Sequence, residues 1–290
     1  GTLSSSRSER RRDLDIDLRV GSFELDNTRQ IRGSMEVLLD RAAPPVQMPV
    51  DDDSAAIRAL LWYHTDQKYR RALERLASVK TNLKTKTENT DKAGDFSPTS
   101  PERTLESLAT RRTADRTAWE AKVRKYTEPF RRFGNIYQAN ATLSQDIETR
   151  WFVSSEGAAI QTVEPRYRLS IQAWGKASDG MELPRAQTFF SSTPDGLPDD
   201  ATVLTAVNRM IEDLKALKTA PVIEPYVGPA ILSGRAASVF FHEIFGHRIE
   251  AQRQKDENEQ HTFRNKVGEL ILPSWLSVIS DPGRSKHGAT

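Results

Sequence analysis

Strand-like and helix-like hydrophobic patterns occupy separate blocks of this chain instead of alternating in short strand-helix pairs. Residues Asp13–Val20 nearly alternate polar with apolar side chains, which is the period of a half-buried strand. A turn at Gly21-Ser22 and further strand-like runs from Phe23 and over Ser34–Leu39 extend this block into an antiparallel meander. Separate blocks predict an α+β fold and disfavour a doubly wound parallel sheet.

Three amphipathic helices are predicted from hydrophobic residues at helical spacing. The first begins at the acidic, helix-capping residues Asp51–Asp53 and runs to Lys86. The second covers Ala114–Phe133, and the third covers Ala201–Leu217. The third has one continuous apolar stripe, which we assign to the hydrophobic core: Val203, Leu204, Val207, Met210, Ile211, Leu214 and Leu217.

Short strands and loops account for much of the remaining chain. Trp151–Val153 and Tyr167–Trp174 look like strands, each followed by turn-forming residues, and Ala230–Leu232 is predicted to be a short apolar strand. The composition of Thr87–Pro101 predicts a loop. Together these elements predict a mixed α/β region with an antiparallel sheet and long helices.

Composition limits the classes of function. The 42 Lys and Arg residues nearly balance 40 Asp and Glu, and a formal net charge of +2 selects neither nucleic acid nor an anionic membrane. The chain has no cysteine, which excludes disulfide frameworks, thiolate clusters and thiol nucleophiles. No apolar run approaches the roughly 20 residues that cross a bilayer, so we expect a soluble, cytoplasmic protein with no membrane partner. The chain begins at Gly1, which leaves an upstream signal peptide open.

A basic cluster lies in the Ser-rich residues 1–12 and consists of Arg7 and Arg10–Arg12. This composition is typical of a solvated, disordered tail. A nucleic-acid regulator is the alternative that the cluster supports, but the balanced charge and the lack of a recognition motif argue against it. We therefore predict no nucleic-acid partner.

Two histidines and a glutamate lie close together in the sequence from Ser238 to Glu250: His242, Glu243 and His247. Two neutral imidazoles can bind a metal ion, and a carboxylate beside the ion can remove a proton from water. These residue types favour a hydrolytic zinc site on a helix, with the histidines as ligands and Glu243 as the general base.

The two histidines are five positions apart, where the familiar zinc-peptidase helix has four. At about 100° per residue, five positions rotate the second side chain about 140° from the first. A regular α-helix would separate the rings too widely for one ion. A π-type turn or an early helix end would correct this, and Gly246 is a residue type that tolerates such a deformation.

The competing interpretation is a core helix on which two histidines fall by chance. Its apolar residues would then pack into the interior. Short motifs have a high false-positive rate, so the spacing alone leaves both interpretations open. The apolar residues concerned are Val239, Phe240, Ile244, Phe245 and Ile249.

The sequence around the motif carries a wider similarity. The run from Tyr226 through the histidine motif to Glu250, followed by Ile271–Val278, closely resembles the TldD/PmbA family of metallopeptidases. Phe152–Gly157 is more weakly similar to a strand end of that family. The resemblance implies that His242 and His247 bind Zn²⁺, and it implies cleavage of flexible or unfolded peptides by metal-activated water.

The resemblance also implies an organisation into domains and a quaternary state. Residues 13–220 would form an N-terminal α/β domain. Residues 221–290 would carry the metal-binding helix and the truncated start of a mostly β C-terminal domain. Family members form dimers, often of a metal-bearing subunit with a partner that lacks the motif, so a homodimer or a heterodimer with a related subunit is expected.

One feature departs from the family pattern. The third metal ligand is usually a cysteine of the C-terminal domain, and this chain has none, so we expect that ligand beyond residue 290 and an incomplete site in the chain as given. Near the motif, only Glu250, His261 and His287 could replace it, and we assign the role to none of them. A non-catalytic partner subunit is the alternative function, but retention of both histidines and Glu243 favours the peptidase.

Overall fold

The computed structural model describes residues 2, 4–31, 45–85, 94–108, 112–251, 253 and 262–281. The chain divides into two compact units, one formed mainly by Ser100–Val227 and the other by Ser8–Thr99 with Gly228–Asp281. Long helices and an essentially antiparallel sheet occupy separate stretches of the sequence, so the fold is α+β, as predicted. The division into domains near residue 220 stays a prediction.

The first strand-like block forms much less sheet than predicted. Of the predicted strand Asp13–Val20, only β1 (Asp13–Leu14) is a strand, and it pairs antiparallel with β2 (Val46–Gln47). The strand predicted from Phe23 is also wrong, because that segment forms bends and turns. The predicted strand Ser34–Leu39 lies outside the described residues.

A buried carboxylate holds the segment after β1 in a turn. Asp26 is 2% exposed, and its Oδ2 accepts a hydrogen bond from Arg19 Nη1 at 3.1 Å while its Oδ1 accepts one from Thr28 N at 2.6 Å. The backbone N–H of Asp26 donates to Asp95 Oδ2 at 2.9 Å. Such side-chain bonds offer the backbone an alternative to strand pairing, which accounts for the short β1.

The first predicted helix is confirmed. Helix α1 covers Ser54–Thr85, close to the predicted end at Lys86. Its start is set by Asp53, whose Oδ1 accepts hydrogen bonds from the backbone N–H groups of Ala55 and Ala56 at 2.9 and 3.1 Å. This is the arrangement of a helix N-cap, which satisfies N–H groups that have no partner inside the helix.

A four-stranded sheet forms the centre of the unit Ser100–Val227. Its long central strand β5 (Ala159–Lys176) pairs antiparallel with β4 (Ile136–Val153) along one edge. Along the other edge, β5 pairs with two shorter strands, parallel with β3 (Arg103–Leu105) and antiparallel with β6 (Glu182–Ser191). Both strands predicted in this region are therefore parts of longer ones, and β6 is an element that the sequence analysis missed.

One face of β5 forms the centre of the hydrophobic core. Tyr167, Leu169, Ile171 and Ala173 alternate along the strand and are each 0% exposed. Helices α2 (Arg116–Thr127) and α3 (Asp200–Thr219) contribute the other side of this core. The helical residues buried there are Trp119, Tyr126, Val203, Val207, Met210, Ile211 and Leu214.

The predicted second and third helices are confirmed with one change of geometry. The predicted helix Ala114–Phe133 is α-helical only over α2, and it continues as a 3₁₀ turn over Glu128–Arg132. Pro129 accounts for this change, because it has no N–H to continue the α-helical hydrogen bonding. The predicted apolar stripe of α3 is buried, with Leu204 and Leu217 partly buried at its margins.

Tyr126 joins α2 to the start of α3. Its buried hydroxyl donates to Asp200 Oδ1 at 2.5 Å, and Lys125 Nζ donates to Asp200 Oδ2 at 2.7 Å. Burial and the adjacent Asp200 raise the pKa of Tyr126. The hydrogen bond from Lys125 and then that from Tyr126 lower the pKa of Asp200 below its usual range. The hydroxyl therefore remains a donor and the carboxylate an acceptor at neutral pH.

Replacing Tyr126 by Phe is expected to lower the free energy of unfolding by about 1.5–3 kcal/mol, the range for a hydrogen bond to a charged group. Because the folded pKa of Asp200 is lowered, its contribution is complete above the unfolded pKa and is lost as pH falls through the folded pKa. The difference between wild type and variant should therefore be constant near pH 7 and shrink in acid. Urea unfolding at several pH values measures this.

Tyr137→Phe is the matched control, because the Tyr137 hydroxyl also donates to a carboxylate, Glu182 Oε1 at 2.8 Å, but on the exposed surface. It should change stability little. Equal effects of the two substitutions would contradict the role given to Tyr126.

Apart from helical residues at Ala251 and Arg253, the described part of Gly228–Asp281 is mostly irregular and contains one helix. It begins as α4 (Gly234–Phe241), continues as a π-helix over His242–Gly246, and ends as the single turn α5 (His247–Ile249). The predicted strand Ala230–Leu232 is wrong: these residues form no strand within the described part of the chain, and Ile231 is fully exposed. Residues 262–281 contain turns and no strand. Within the described ranges, none of the helices has both the length and the apolar character required to cross a bilayer.

Candidate metal centre

The helix that carries the histidine motif widens by one residue at the motif itself. The backbone N–H of His247 donates to the carbonyl of His242, five residues earlier, which closes the wide turn of a π-helix. Five residues then make about one turn, so the two histidines lie on the same side of the helix. This geometry is the first of the two deformations expected from the sequence, and the helix ends soon afterwards, at Ile249.

Glycine is not required for this turn. Gly246 has φ −52° and ψ −55°, which are ordinary values for a right-handed helix. A Cβ added there would lie 3.7 Å from the carbonyl oxygen of Phe241, an ordinary van der Waals contact. The expected role of Gly246 in permitting the deformation is therefore not supported by its backbone conformation.

The π-turn brings together the three side chains singled out in the sequence. Ligand atoms of His242, Glu243 and His247 lie within 4.8 Å of one another. The carboxylate of Glu243 lies near both rings, with Oε1 3.9 Å from His242 Nε2 and Oε2 3.8 Å from His247 Nε2. The two imidazole rings are 4.6 Å apart between centroids and inclined at 73°.

This donor set fits a zinc ion. Two nitrogens that share one ion lie at most about 4.2 Å apart, which is twice the Zn–N distance. The ligand atoms of His242, Glu243 and His247 lie within 4.8 Å of one another, close to that limit, and the His242 and Glu243 side chains are exposed. Imidazole and carboxylate are also the ligand types that suit zinc. Within the described ranges, no other group of three potential metal ligands comes together in this way.

Behind His247, away from the Glu243 carboxylate, lies a second carboxylate. His247 Nδ1 is 2.9 Å from Glu250 Oε1, and Arg253 Nε donates to Glu250 Oε2 at 2.8 Å. The hydrogen bond with His247, and then that from Arg253, lower the pKa of Glu250. Both oxygens of Glu250 are therefore engaged, so Glu250 does not supply the missing third ligand in this conformation.

From the sequence, Glu250 is considered only as a possible third ligand, and Arg253 is not singled out. The signal for the cluster is the helical spacing of three from His247 to Glu250 and again to Arg253. His261 and His287, the other substitutes considered for the third ligand, lie outside the described residues.

The motif is open to solvent. The side chains of His242 and Glu243 are 64% and 62% exposed, and that of His247 is 35% exposed. Of the five apolar residues that the core-helix interpretation would bury, only Phe245 is buried. It lies against Phe263, with ring centroids 6.0 Å apart. The interpretation of the motif as part of a core helix is therefore not supported.

A comparison with protein-family models gives one match. Residues 226–290 match the model described as the PmbA/TldA metallopeptidase C-terminal domain. The last part of the chain is therefore similar to the TldD/PmbA family of metallopeptidases. The matched residues include the whole helix with His242, Glu243 and His247, and they include the segment Ile271–Val278 that resembled the family in the sequence. No curated protein and no solved structure matches the chain.

The similarity to this family is limited to the last part of the chain, because the match begins at Tyr226. The weaker similarity at Phe152–Gly157 lies upstream of it. In the structure this segment is the end of β4 and a turn, closed by a hydrogen bond from the Gly157 N–H to the Ser154 carbonyl at 3.1 Å. Gly157 has φ +102°, a conformation that favours glycine.

Proposed function

We propose that this chain is the metal-bearing part of a zinc-dependent metallopeptidase that cleaves flexible or unfolded peptides. One observation carries the proposal: the π-turn gathers the ligand atoms of His242, Glu243 and His247 within 4.8 Å. This cluster lies inside the segment that matches the metallopeptidase family. Its exposure is compatible with access by a peptide chain.

In this proposal His242 and His247 hold the ion through their Nε2 atoms, which are the atoms nearest Glu243. A bound zinc ion supplies a Lewis acid that polarises the scissile carbonyl. Glu243 acts as the general base and removes a proton from the attacking water. The same carboxyl group can then return the proton to the leaving amine.

The ligand set is completed from outside the described residues. A catalytic zinc site normally has three protein ligands, and the described residues offer two histidines beside the proposed base. Following the family resemblance, we propose that a further segment supplies the third ligand. We also propose that the protein works as a dimer, either with itself or with a related subunit.

Metal removal tests the proposal. The natural full-length protein should lose hydrolysis of an unstructured reporter peptide when zinc is removed by a chelator and dialysis, and one equivalent of Zn²⁺ should restore it. His247→Ala should remove both zinc and activity, because the cluster loses a ligand. His64→Ala is the matched control, since His64 lies on α1, outside the cluster.

Two results would overturn the proposal. One is full activity in protein shown to be free of zinc. The other is a pure protein that neither binds zinc nor cleaves peptides, which would favour the non-catalytic partner subunit.

A further inference from the structure

We propose that Glu250 and Arg253 are positioning residues that hold the His247 ring with Nε2 free to bind the metal. This inference rests on the proposed function and extends it to two residues with no role in the chemistry itself. Its basis is a continuous chain of contacts from the His247 ring through the Glu250 carboxylate to the Arg253 guanidinium.

The two ring nitrogens of His247 have different neighbours. Nδ1 lies 2.9 Å from Glu250 Oε1, whereas Nε2 faces Glu243 Oε2 at 3.8 Å. A carboxylate can only accept a hydrogen bond, so in the neutral ring Nδ1 carries the hydrogen and Nε2 keeps its lone pair. That tautomer is the one required if Nε2 is the ligand atom.

The Arg253 contact fixes the carboxylate in turn. Arg253 Nε donates to Glu250 Oε2 at 2.8 Å, and the Arg253 backbone N–H donates to the Glu250 carbonyl at 3.1 Å. The backbone bond lies just after the end of α5. Arg253 and Glu250 are therefore joined both through their side chains and through their backbones. In this arrangement both oxygens of Glu250 are bound on the side of Nδ1, and neither is directed at Nε2.

A contact that fixes the ring is most important where a histidine lies on a short helix and its side chain is partly exposed. His247 begins α5, a helix of only three residues that follows the π-turn. Without a second contact, the ring could rotate away from Glu243 and His242. Among the described residues, no hydrogen bond fixes the His242 ring in the same manner. The structure therefore assigns to His247 the role of the preorganised ligand, because carboxylates behind metal-binding histidines orient the ring and raise its basicity.

The competing explanation is an ordinary surface ion pair. Exposed pairs three residues apart contribute little to stability, and Glu212 and Lys215 on α3 form one with a 2.7 Å contact. Glu212 therefore provides a matched control: it has the same spacing to a cation but no histidine on its other oxygen within the described contacts.

The test compares Glu250→Gln and Arg253→Gln with Glu212→Gln in the natural full-length protein. Zinc affinity is measured by competition with a chromophoric chelator. We expect Glu250→Gln to weaken zinc binding about 10- to 100-fold, Arg253→Gln to weaken it less, and Glu212→Gln to leave it within about twofold. Circular dichroism establishes that all three variants are folded.

A second measurement needs neither metal nor catalysis. In zinc-free protein, ¹⁵N chemical shifts of the imidazole nitrogens report which one carries the hydrogen. We expect neutral His247 to have the Nδ1–H form in wild type and in Glu212→Gln, and a mixture of forms in Glu250→Gln. A purely structural role for the ion pair would not change the tautomer.

The outcomes separate the two proposals. If wild type binds zinc but Glu250→Gln binds it equally well with the same His247 tautomer, the positioning role is wrong and the proposed function stands. If wild type binds no zinc, the proposed function fails, and the positioning role fails with it.

Discussion

Glu243→Gln is expected to lower kcat for peptide hydrolysis by about 10²- to 10⁴-fold, the contribution typical of a general base. Glutamine keeps the size and polarity of the side chain but cannot accept the proton of water. The Nε2 atoms of His242 and His247, 3.9 and 3.8 Å from the carboxylate in wild type, are unchanged by the substitution. The variant should therefore keep its zinc.

Steady-state kinetics and zinc content, measured on the same preparation, test this prediction. The Glu212→Gln variant, changed on α3 and outside the metal cluster, should match wild type in both. Loss of zinc together with activity would mean that Glu243 is a ligand instead of the base. Unchanged kcat with full zinc content would remove Glu243 from the mechanism.

Ile171→Ala is expected to lower the free energy of unfolding of the unit Ser100–Val227 by about 2–5 kcal/mol. Ile171 is 0% exposed and lies in the middle of β5, opposite Ala141 on β4 and Gln187 on β6. Its neighbours come from both the sheet and the helices. The cavity left by the smaller side chain therefore cannot collapse easily.

The matched control is Gln172→Ala, one residue further along the same strand and on the opposite, exposed face. It should change stability by about 0.5 kcal/mol or less. Denaturant unfolding followed by tryptophan fluorescence compares both variants with wild type. Similar losses for the two substitutions would contradict the assignment of the core to this face of β5.

The local sequence pattern predicted the helices well, because their apolar side chains recur at the spacing of a helix. The apolar stripe of α3 recurs at helical spacing and is buried as expected. The N-cap of α1 is likewise visible in the sequence, since Asp53 directly precedes the helix. In both cases local preference and tertiary burial favour the same structure.

The sheet was harder to predict, because long strands are stabilised by pairing with distant residues. Ala139, Ala141 and Leu143 alternate with polar residues in β4, a period-two signal that small side chains make weak. Asp13–Val20 has the stronger alternation but forms only β1. There the buried Asp26 network competes with strand pairing.

The sequence indicates which three residues form the candidate metal centre, but it predicts only part of their geometry. The five-residue spacing of His242 and His247 requires a deformation, and the structure resolves the choice in favour of a π-turn. The contact of Glu250 with His247 Nδ1 depends on side-chain orientation, which spacing does not determine. The roles of His242 and His247 as metal ligands and of Glu243 as the general base stay predictions.

The most direct test of the central claim is a crystal structure of the zinc-loaded protein with anomalous diffraction recorded on both sides of the zinc absorption edge. We predict one zinc peak within about 2.0–2.1 Å of the Nε2 atoms of both His242 and His247. Ordered, empty histidines in protein that contains stoichiometric zinc at another position would contradict it.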